Sequence, residues 1–250
     1  MLRPLLVSLR QLVLPAHCAA CGAPAPPDWR APLCGKCGRT LAQLMEMSYC
    51  PRCGRHAGPH TWDESGCLFC RLYPIRHDAT VRVGAYADPL RSLILRCKDE
   101  RRAEIAPFLG RLLADRVALA PWADRVDVVV PVPLHWGRRI RRGFNQAEIL
   151  SRFVAGAGNG RVARRRLLRV RPTPHQSRLA ADRRRANVRG AFEVRRRAAD
   201  LAGRRVLLVD DVMTSGTTVA ECTRVLKKAG AREVYVAVVA TADYDEPGAW

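Results

Sequence analysis

Long apolar runs are missing from this sequence of 250 residues. No stretch approaches the roughly 20 apolar residues that a membrane-spanning helix needs, so we expect no membrane span. The first 15 residues carry leucines at helical spacing, but Arg3 and Arg10 interrupt them. They also lack the unbroken apolar segment and small-residue cleavage site of a secretory signal. We therefore expect an amphipathic docking helix in a cytoplasmic protein.

Acidic and aromatic residues are also scarce. The chain has 23 acidic side chains against 43 basic ones, most of them arginine, for a formal net charge of +20. Because the guanidinium fork matches phosphate, this excess predicts a phosphate-rich partner. Aromatic residues make up only 6%, so any binding to nucleic acid should be led by the backbone and independent of sequence. An apolar content of 48% is enough for the core of one α/β domain plus a small module.

Cysteine, by contrast, is plentiful and regularly spaced. Ten cysteines are present, and eight form Cys-x-x-Cys pairs: Cys18/Cys21, Cys34/Cys37, Cys50/Cys53 and Cys67/Cys70. Tetrahedral zinc bound by four thiolates needs two such pairs facing each other, so the sequence predicts two structural zinc ions in a double zinc ribbon. Three of the pairs are followed by glycine, which allows the tight turn that directs backbone N–H groups at sulfur.

Disulfides are the competing interpretation, but they require an oxidising compartment. Sequential pairing of the four motifs closes shorter loops than interleaved pairing and is favoured, although the spacing leaves both open. Because the module is poor in aliphatic residues, metal should supply its stability. The remaining candidates are expected to be surface histidines and buried apolar cysteines rather than ligands or nucleophiles: His17, His56, His60, Cys97 and Cys222.

The most informative stretch is residues 206–218, VLLVDDVMTSGTT. Val206–Val209 has the pattern of a buried parallel strand, and Asp210 and Asp211 follow at its carboxyl end. Carboxylates there can accept hydrogen bonds from sugar hydroxyls or from water on a divalent cation. A turn that opens a helix offers backbone N–H groups and a positive dipole end to phosphate. Here that turn is small and rich in hydroxyls: Thr214, Ser215, Gly216, Thr217 and Thr218.

The rest of the chain predicts an α/β domain around this stretch. Apolar patterns predict strands at 81–86, 126–131, 167–170, 191–194 and 233–240, and helices at 88–98 and 105–119. Asn145 and Glu148 are close to a capping box, so a helix should begin there. Four arginines, ending at Arg142, precede it, and we expect them around pyrophosphate or a nucleic-acid backbone. The change of composition predicts a zinc module over 1–78 and an α/β domain over 79–250.

Residues 206–218 resemble the phosphoribosyl-pyrophosphate (PRPP) motif of type I phosphoribosyltransferases. The resemblance implies a parallel sheet flanked by helices, with Asp210 and Asp211 on the ribose and Thr214–Thr218 around the 5′-phosphate. It also implies that Mg²⁺ binds together with PRPP and that residues 171–189 form a mobile hood. Purine-salvage members usually carry a third acid at the first loop position. Threonine stands there in this chain, which disfavours hypoxanthine or guanine as the acceptor.

Four features occur in one order: the cysteine module, Arg142–Gln146, Thr173–Phe192 and the PRPP loop. This combination resembles the ComF family of competence-associated, phosphoribosyltransferase-like proteins. The resemblance implies a bacterial cytoplasmic protein linked to uptake of single-stranded DNA and natural transformation. A competence helicase is a potential partner for the zinc module.

Two functions are compatible with these features. The first is an enzyme that transfers phosphoribose from PRPP to an unknown acceptor with Mg²⁺. The second is an inactive homologue that acts as a single-stranded-DNA-binding adaptor, which the +20 charge favours. A PRPP-responsive regulator ranks last, because no helix-turn-helix is recognisable.

Overall fold

The computed structural model describes residues 17–24, 32–58, 60–99, 102–158, 160–173, 186–195 and 201–242. Its strands are β1 (Trp62–Asp63), β2 (Gly66–Cys67), β3 (Ala79–Ala85), β4 (Val128–Pro131), β5 (Arg161–Val162), β6 (Leu167–Arg169), β7 (Phe192–Val194), β8 (Arg205–Met213) and β9 (Glu233–Thr241). Its helices are α1 (Gly35–Glu46), α2 (Leu68–Leu72), α3 (Leu90–Asp99), α4 (Ala106–Ala118), α5 (Trp136–Arg142), α6 (Gln146–Gly156) and α7 (Thr217–Lys228).

Five strands form the central sheet, in the order β3-β9-β8-β4-β5, and every neighbouring pair is parallel. The apolar run Val206–Val209 forms the buried part of β8, as its pattern predicts. The strand then continues to Met213, because β9 still pairs with it there and Asp210 lies opposite Val238. The acidic pair therefore lies within the strand, before Val212 and Met213, rather than after it.

Helices cover both faces of the sheet, as a parallel sheet requires. One face is packed by α3, α4 and α6, whose apolar side chains share a core with Leu207 and Val209. The other face is packed by α7 and the antiparallel pair β6–β7, which share a second core with Val206 and Leu208. The α/β fold class expected from the sequence is confirmed. Helices cover both faces of the sheet around β8.

The four arginines before α6 lie on a short helix of their own, α5. Helix α5 begins after His135, whose ring nitrogen accepts a hydrogen bond from the Gly137 N–H at 3.4 Å. It ends at Gly143, where φ is +85°. The next helix begins as expected, with the Asn145 side chain accepting from the Ala147 N–H at 3.1 Å.

The cysteine module packs directly on the sheet. The Thr80 N–H donates to the Pro51 carbonyl at 2.7 Å, and the Thr241 hydroxyl donates to the Gly54 carbonyl at 2.9 Å. Buried residues of the module, including Leu33 and Leu41, also belong to the core on the α3–α4 face. Metal is thus not the module's sole source of stability. The division at residue 78 stays a prediction.

Two expected features lie outside the described residues: the amino-terminal docking helix at 1–15 and most of the hood segment at 171–189. Among the helices that the structure does describe, none is long and apolar enough to cross a bilayer.

Gly54 sets the distance between the module and the sheet. Its φ is +75°, and a Cβ atom there would lie 2.7 Å from Cγ2 of Thr80. We expect Gly54→Ala to lower the free energy of unfolding by about 1–3 kcal/mol, through backbone strain and overpacking. Gly38 follows another Cys-x-x-Cys pair but lies in α1 with nothing near its Cβ position. Gly38→Ala should therefore be neutral or stabilising in the same denaturant titration, and equal losses for both variants would contradict the assigned contact.

Candidate functional site

Two tetrads of sulfur atoms define the metal-binding part of the molecule. Within each tetrad all four Sγ atoms lie within 4.8 Å of one another: Cys18, Cys21, Cys34, Cys37, and Cys50, Cys53, Cys67, Cys70. Sequential pairing of the motifs is therefore confirmed. The cysteines are free thiols, so the disulfide alternative is not supported, and four-thiolate tetrads are the donor set of structural zinc.

Backbone N–H groups in the first tetrad favour ionised sulfur. The Cys34 N–H points at Sγ of Cys18 at 3.3 Å, and the Cys37 N–H points at Sγ of Cys34 at 3.4 Å. Burial of the Cys18 thiol opposes ionisation, but N–H groups of Cys21, Cys34 and Ala20 outweigh it and lower its pKa to about 6. A thiolate is the form that binds zinc, so the site fits the metal.

The other cysteine and histidine predictions are also met in the described residues. Cys97 and Cys222 are buried away from both tetrads, and burial raises the pKa of each thiol, to about 11 for Cys97. His17 and His60 are exposed, and Nδ1 of His56 lies 3.1 Å from the Ser48 carbonyl. None of the three histidines belongs to a tetrad.

The loop between β8 and α7 is the turn for which the sequence predicts phosphate binding. Thr214–Gly216 turn the chain from the strand into the helix, and Gly216 stands at the helix N-cap with φ +74°. Hydroxyls of Ser215 and Thr217 lie 3.1 Å apart on this turn. These hydroxyls stand at the start of α7, where the positive end of the helix dipole lies. The loop residues are half-buried.

Asp210 and Asp211 have different neighbours at the end of β8. Asp211 forms an ion pair with Lys98 of α3, with 2.8 Å between Oδ1 and Nζ. Oδ1 of Asp210 accepts a hydrogen bond from the Asp211 N–H at 2.9 Å. The charge of Asp210 interacts with Lys98 and also with Arg169 and Cys222, which lie on the α7 face of the sheet. Strand alternation explains the split, because successive side chains point to opposite faces.

The same surroundings raise the pKa of Asp210 to about 7. Burial of the carboxyl is the main cause, and the negative charge of Asp211 adds to it, while Lys98 and Arg169 act in the opposite direction. Lys98 is also buried, but the charge of Asp211 outweighs that effect and raises the pKa of the lysine. A buried carboxyl with a raised pKa, beside a second carboxylate, is typical of functional sites.

Arg142 lies on the same side of the sheet as Asp211. Its guanidinium donates to Oε1 of Gln146 at 2.9 Å, and Gln146 shares a small cavity with Asp211 and Cys97. Nε2 of Gln146 is buried and has no hydrogen-bond partner among the described residues. Two neighbours of Arg142 are engaged elsewhere: Arg138 with the Thr173 carbonyl at 2.6 Å and Arg139 with Glu148 at 2.6 Å.

Sequence reasoning missed three residues of this region: Lys98, Gln146 and Arg169. Each comes from an element distant in sequence from β8, and nothing in its local pattern indicates a contact with the acidic pair. From the sequence, Gln146 was identified only as the last residue of the Arg142–Gln146 motif.

These features together define a type I phosphoribosyltransferase-like α/β protein that carries a double zinc ribbon. Residues 162–247 match the family described as "Phosphoribosyl transferase domain", and residues 9–72 match "Double zinc ribbon domain". The class of fold and the zinc-ribbon module expected from the sequence are both confirmed.

Relatives extend the likeness over most of the chain. It is 36% identical to "DNA utilization protein YhgH" of Salmonella typhi over 90% of this chain and 96% of that protein. It is 33% identical to "Competence protein F" of Haemophilus influenzae over 81% and 88%, and 26% identical to "Competence protein ComFC" of Bacillus subtilis over 79% of each chain. The chain belongs to the ComF family.

The raised pKa of Asp210 has a consequence for stability. Folding raises this pKa from 3.8 to about 7, so the native state holds a proton that the unfolded chain releases, and stability falls as pH rises through this interval. We expect Asp210→Asn to remove that loss and to be more stable than the wild type by about 2–4 kcal/mol at pH ~8, but not at pH ~4.

Denaturant titrations across this pH range measure the effect in the ligand-free protein. Asp115→Asn, at an exposed position of α4, is the matched control and should follow the wild-type curve. If the free energy of unfolding changes with pH in the same way for the wild type and Asp210→Asn, the Asp210 carboxyl ionises with an ordinary pKa.

Proposed function

We propose that this protein binds PRPP together with Mg²⁺ and transfers its phosphoribosyl group to an acceptor. The observation that carries the proposal is the order of groups along β8 and α7: an acidic pair near the carboxyl end of a central parallel strand, and a hydroxyl-rich turn that leads from the end of that strand into a helix. A phosphorylated pentose presents the two kinds of group that these residues can bind, hydroxyls and a phosphate.

Each group has a task in this proposal. Backbone N–H groups and hydroxyls of Thr214–Thr218 hold the 5′-phosphate, and Asp210 and Asp211 accept hydrogen bonds from the ribose hydroxyls. Lys98 and Arg142 lie on the Asp211 side and supply positive charge toward the departing pyrophosphate. Bound Mg²⁺ would neutralise charge on pyrophosphate, and oxygen donors such as these carboxylates suit it.

The cellular role is part of the same proposal. Relatives are named for DNA utilization and competence, and we propose that this chain likewise serves DNA uptake in the cytoplasm, where its tetrad thiols stay reduced. A competence helicase and single-stranded DNA are the partners that this role requires.

Calorimetric titration with PRPP tests the proposal. We expect binding in the presence of Mg²⁺, its loss on chelation, and weakening by at least about tenfold in Asp210→Asn/Asp211→Asn, because neutral amides accept ribose hydroxyls less well. Asp115→Asn should bind like the wild type. Release of pyrophosphate, measured with and without single-stranded DNA, then reports transfer. Absence of PRPP binding, or unchanged binding in the double variant, would reject the proposed site.

One observation favours the adaptor function as a second candidate. A hollow beside β5 is surrounded by five arginines: Arg161, Arg164, Arg165, Arg166 and Arg195. Such a cluster suits the phosphates of a single strand without reading its bases. It lies apart from the acidic pair, so PRPP binding and DNA binding are compatible in one protein.

Salt dependence tests this second candidate. If all five arginines contact phosphates, affinity for an oligo-dT strand should fall about 100-fold for a fourfold rise in salt. Arg164→Gln/Arg165→Gln should lower the slope of log K against log salt by about 1.4. Arg91→Gln, at an exposed position of α3, is the control that should keep the slope. Affinity independent of salt would argue decisively against backbone binding.

A further inference from the structure

A cavity of about 360 Å³ lies between the second cysteine tetrad and the β8–α7 loop. The module side of its wall contains Arg55, Phe69 and Tyr73, and the sheet side contains Met213 and Thr214–Thr217. Pockets of this volume take a small organic ligand, and they commonly combine apolar walls with a few polar groups. The loop assigned to phosphate therefore faces the zinc module across a hollow.

Planar groups form the module side of the cavity. The rings of Phe69 and Tyr73 are stacked, with centroids 4.7 Å apart and planes at 29°. The guanidinium of Arg55 lies 4.0 Å from the centroid of Phe69. All three side chains are half-buried. Aromatic rings and guanidinium planes are the surfaces on which proteins stack nucleobases.

A buried acceptor completes this wall. His77 lines the cavity and is only 5% exposed. Its Nε2 lies 2.9 Å from the Thr80 hydroxyl, which itself donates to the Arg52 carbonyl. Nε2 therefore carries the hydrogen, and Nδ1 is an acceptor that has no partner among the described residues. Burial lowers the pKa of this imidazole to about 4, so it stays neutral. The neutral ring therefore adds no charge to the wall of the cavity.

The charges around the cavity favour an anionic ligand. Arg76 and Arg189 contribute to its wall. The acid among the lining residues is Glu221, and its carboxylate is held by Arg224 through hydrogen bonds of 2.7 and 2.8 Å. The remaining charge is positive and lies near the loop.

We propose that this cavity binds a nucleoside monophosphate, with its base against Arg55, Phe69 and Tyr73 and its phosphate on Thr214–Thr217. The inference rests on the proposed function in one respect: the same loop must hold phosphate. It adds a site for a base, built by the zinc module, to a loop that would otherwise recognise only a phosphorylated sugar. Stacking accepts any base, so purine and pyrimidine nucleotides should both bind.

Calorimetry with three probes tests the site: AMP, ribose 5-phosphate and PRPP with Mg²⁺. We expect AMP to bind between about fivefold and a hundredfold more tightly than ribose 5-phosphate, since stacking of one base contributes to that extent. Tyr73→Ala should remove most of this ratio while leaving ribose 5-phosphate and PRPP unchanged. Tyr73→Phe keeps the ring and should bind AMP like the wild type. Leu72→Ala, at an exposed position of α2 next to Tyr73, should also change nothing.

Distinct outcomes separate this inference from the proposed function. Equal affinity of AMP and ribose 5-phosphate for the wild type would overturn it, even if PRPP binds. Binding of an oligo-dT strand that depends on Tyr73, without binding of AMP, would also overturn it. If PRPP does not bind but AMP binds in a way that depends on Tyr73, PRPP recognition is rejected and the base site is retained. Zinc content is measured for each variant. If Tyr73→Ala loses its metal, the ratio of AMP affinity to ribose 5-phosphate affinity in the wild type decides whether the base site exists.

Discussion

The contact of Gly54 with Thr80 and Thr241 sets the distance between the second tetrad and the sheet, and the rest of the site depends on that distance. The Gly54 carbonyl accepts from the Thr241 hydroxyl, while its missing side chain lets the turn lie against Thr80. Because this turn belongs to the second tetrad, metal binding and sheet packing hold the same few residues. The aromatic wall follows in sequence and is thereby placed opposite the β8–α7 loop. A shift of one ångström at this contact would change the width of the cavity.

Electrostatics give the two ends of the site different characters. At the acidic pair, two like charges on one strand end are desolvated, and Lys98 balances only one of them closely. At the loop, arginines and the positive end of the α7 dipole provide positive potential. A ligand with a phosphate at one end would balance the positive potential at the loop. Sugar hydroxyls or metal-bound oxygens at its other end would donate to, or carry a cation to, the acidic pair. The excess of arginine is therefore a property of particular surfaces and not only of composition.

Several parts of this arrangement could be read from the sequence because their signals are local. The run Val206–Val209, the following carboxylates and the small hydroxyl residues are contiguous, so the strand, loop and helix follow from chain order alone. The Cys-x-x-Cys spacing likewise predicted two tetrads and, through loop length, their sequential pairing. The approach of Lys98, Gln146 and Arg169 to the acidic pair has no local signal. Each depends on how helices and strands pack across the sheet.

The sequence by itself determined the chemistry of the groups: eight thiols in metal-binding pairs, two carboxylates beside a phosphate-type loop, and an excess of arginine. These are consequences of residue type and short spacing, which need no long-range contact. Only the tertiary structure decided that the two carboxylates face different neighbours and that the zinc module walls a cavity against the loop. The reason is that side-chain direction on a strand and the docking of separate elements are set by packing between residues far apart in the chain.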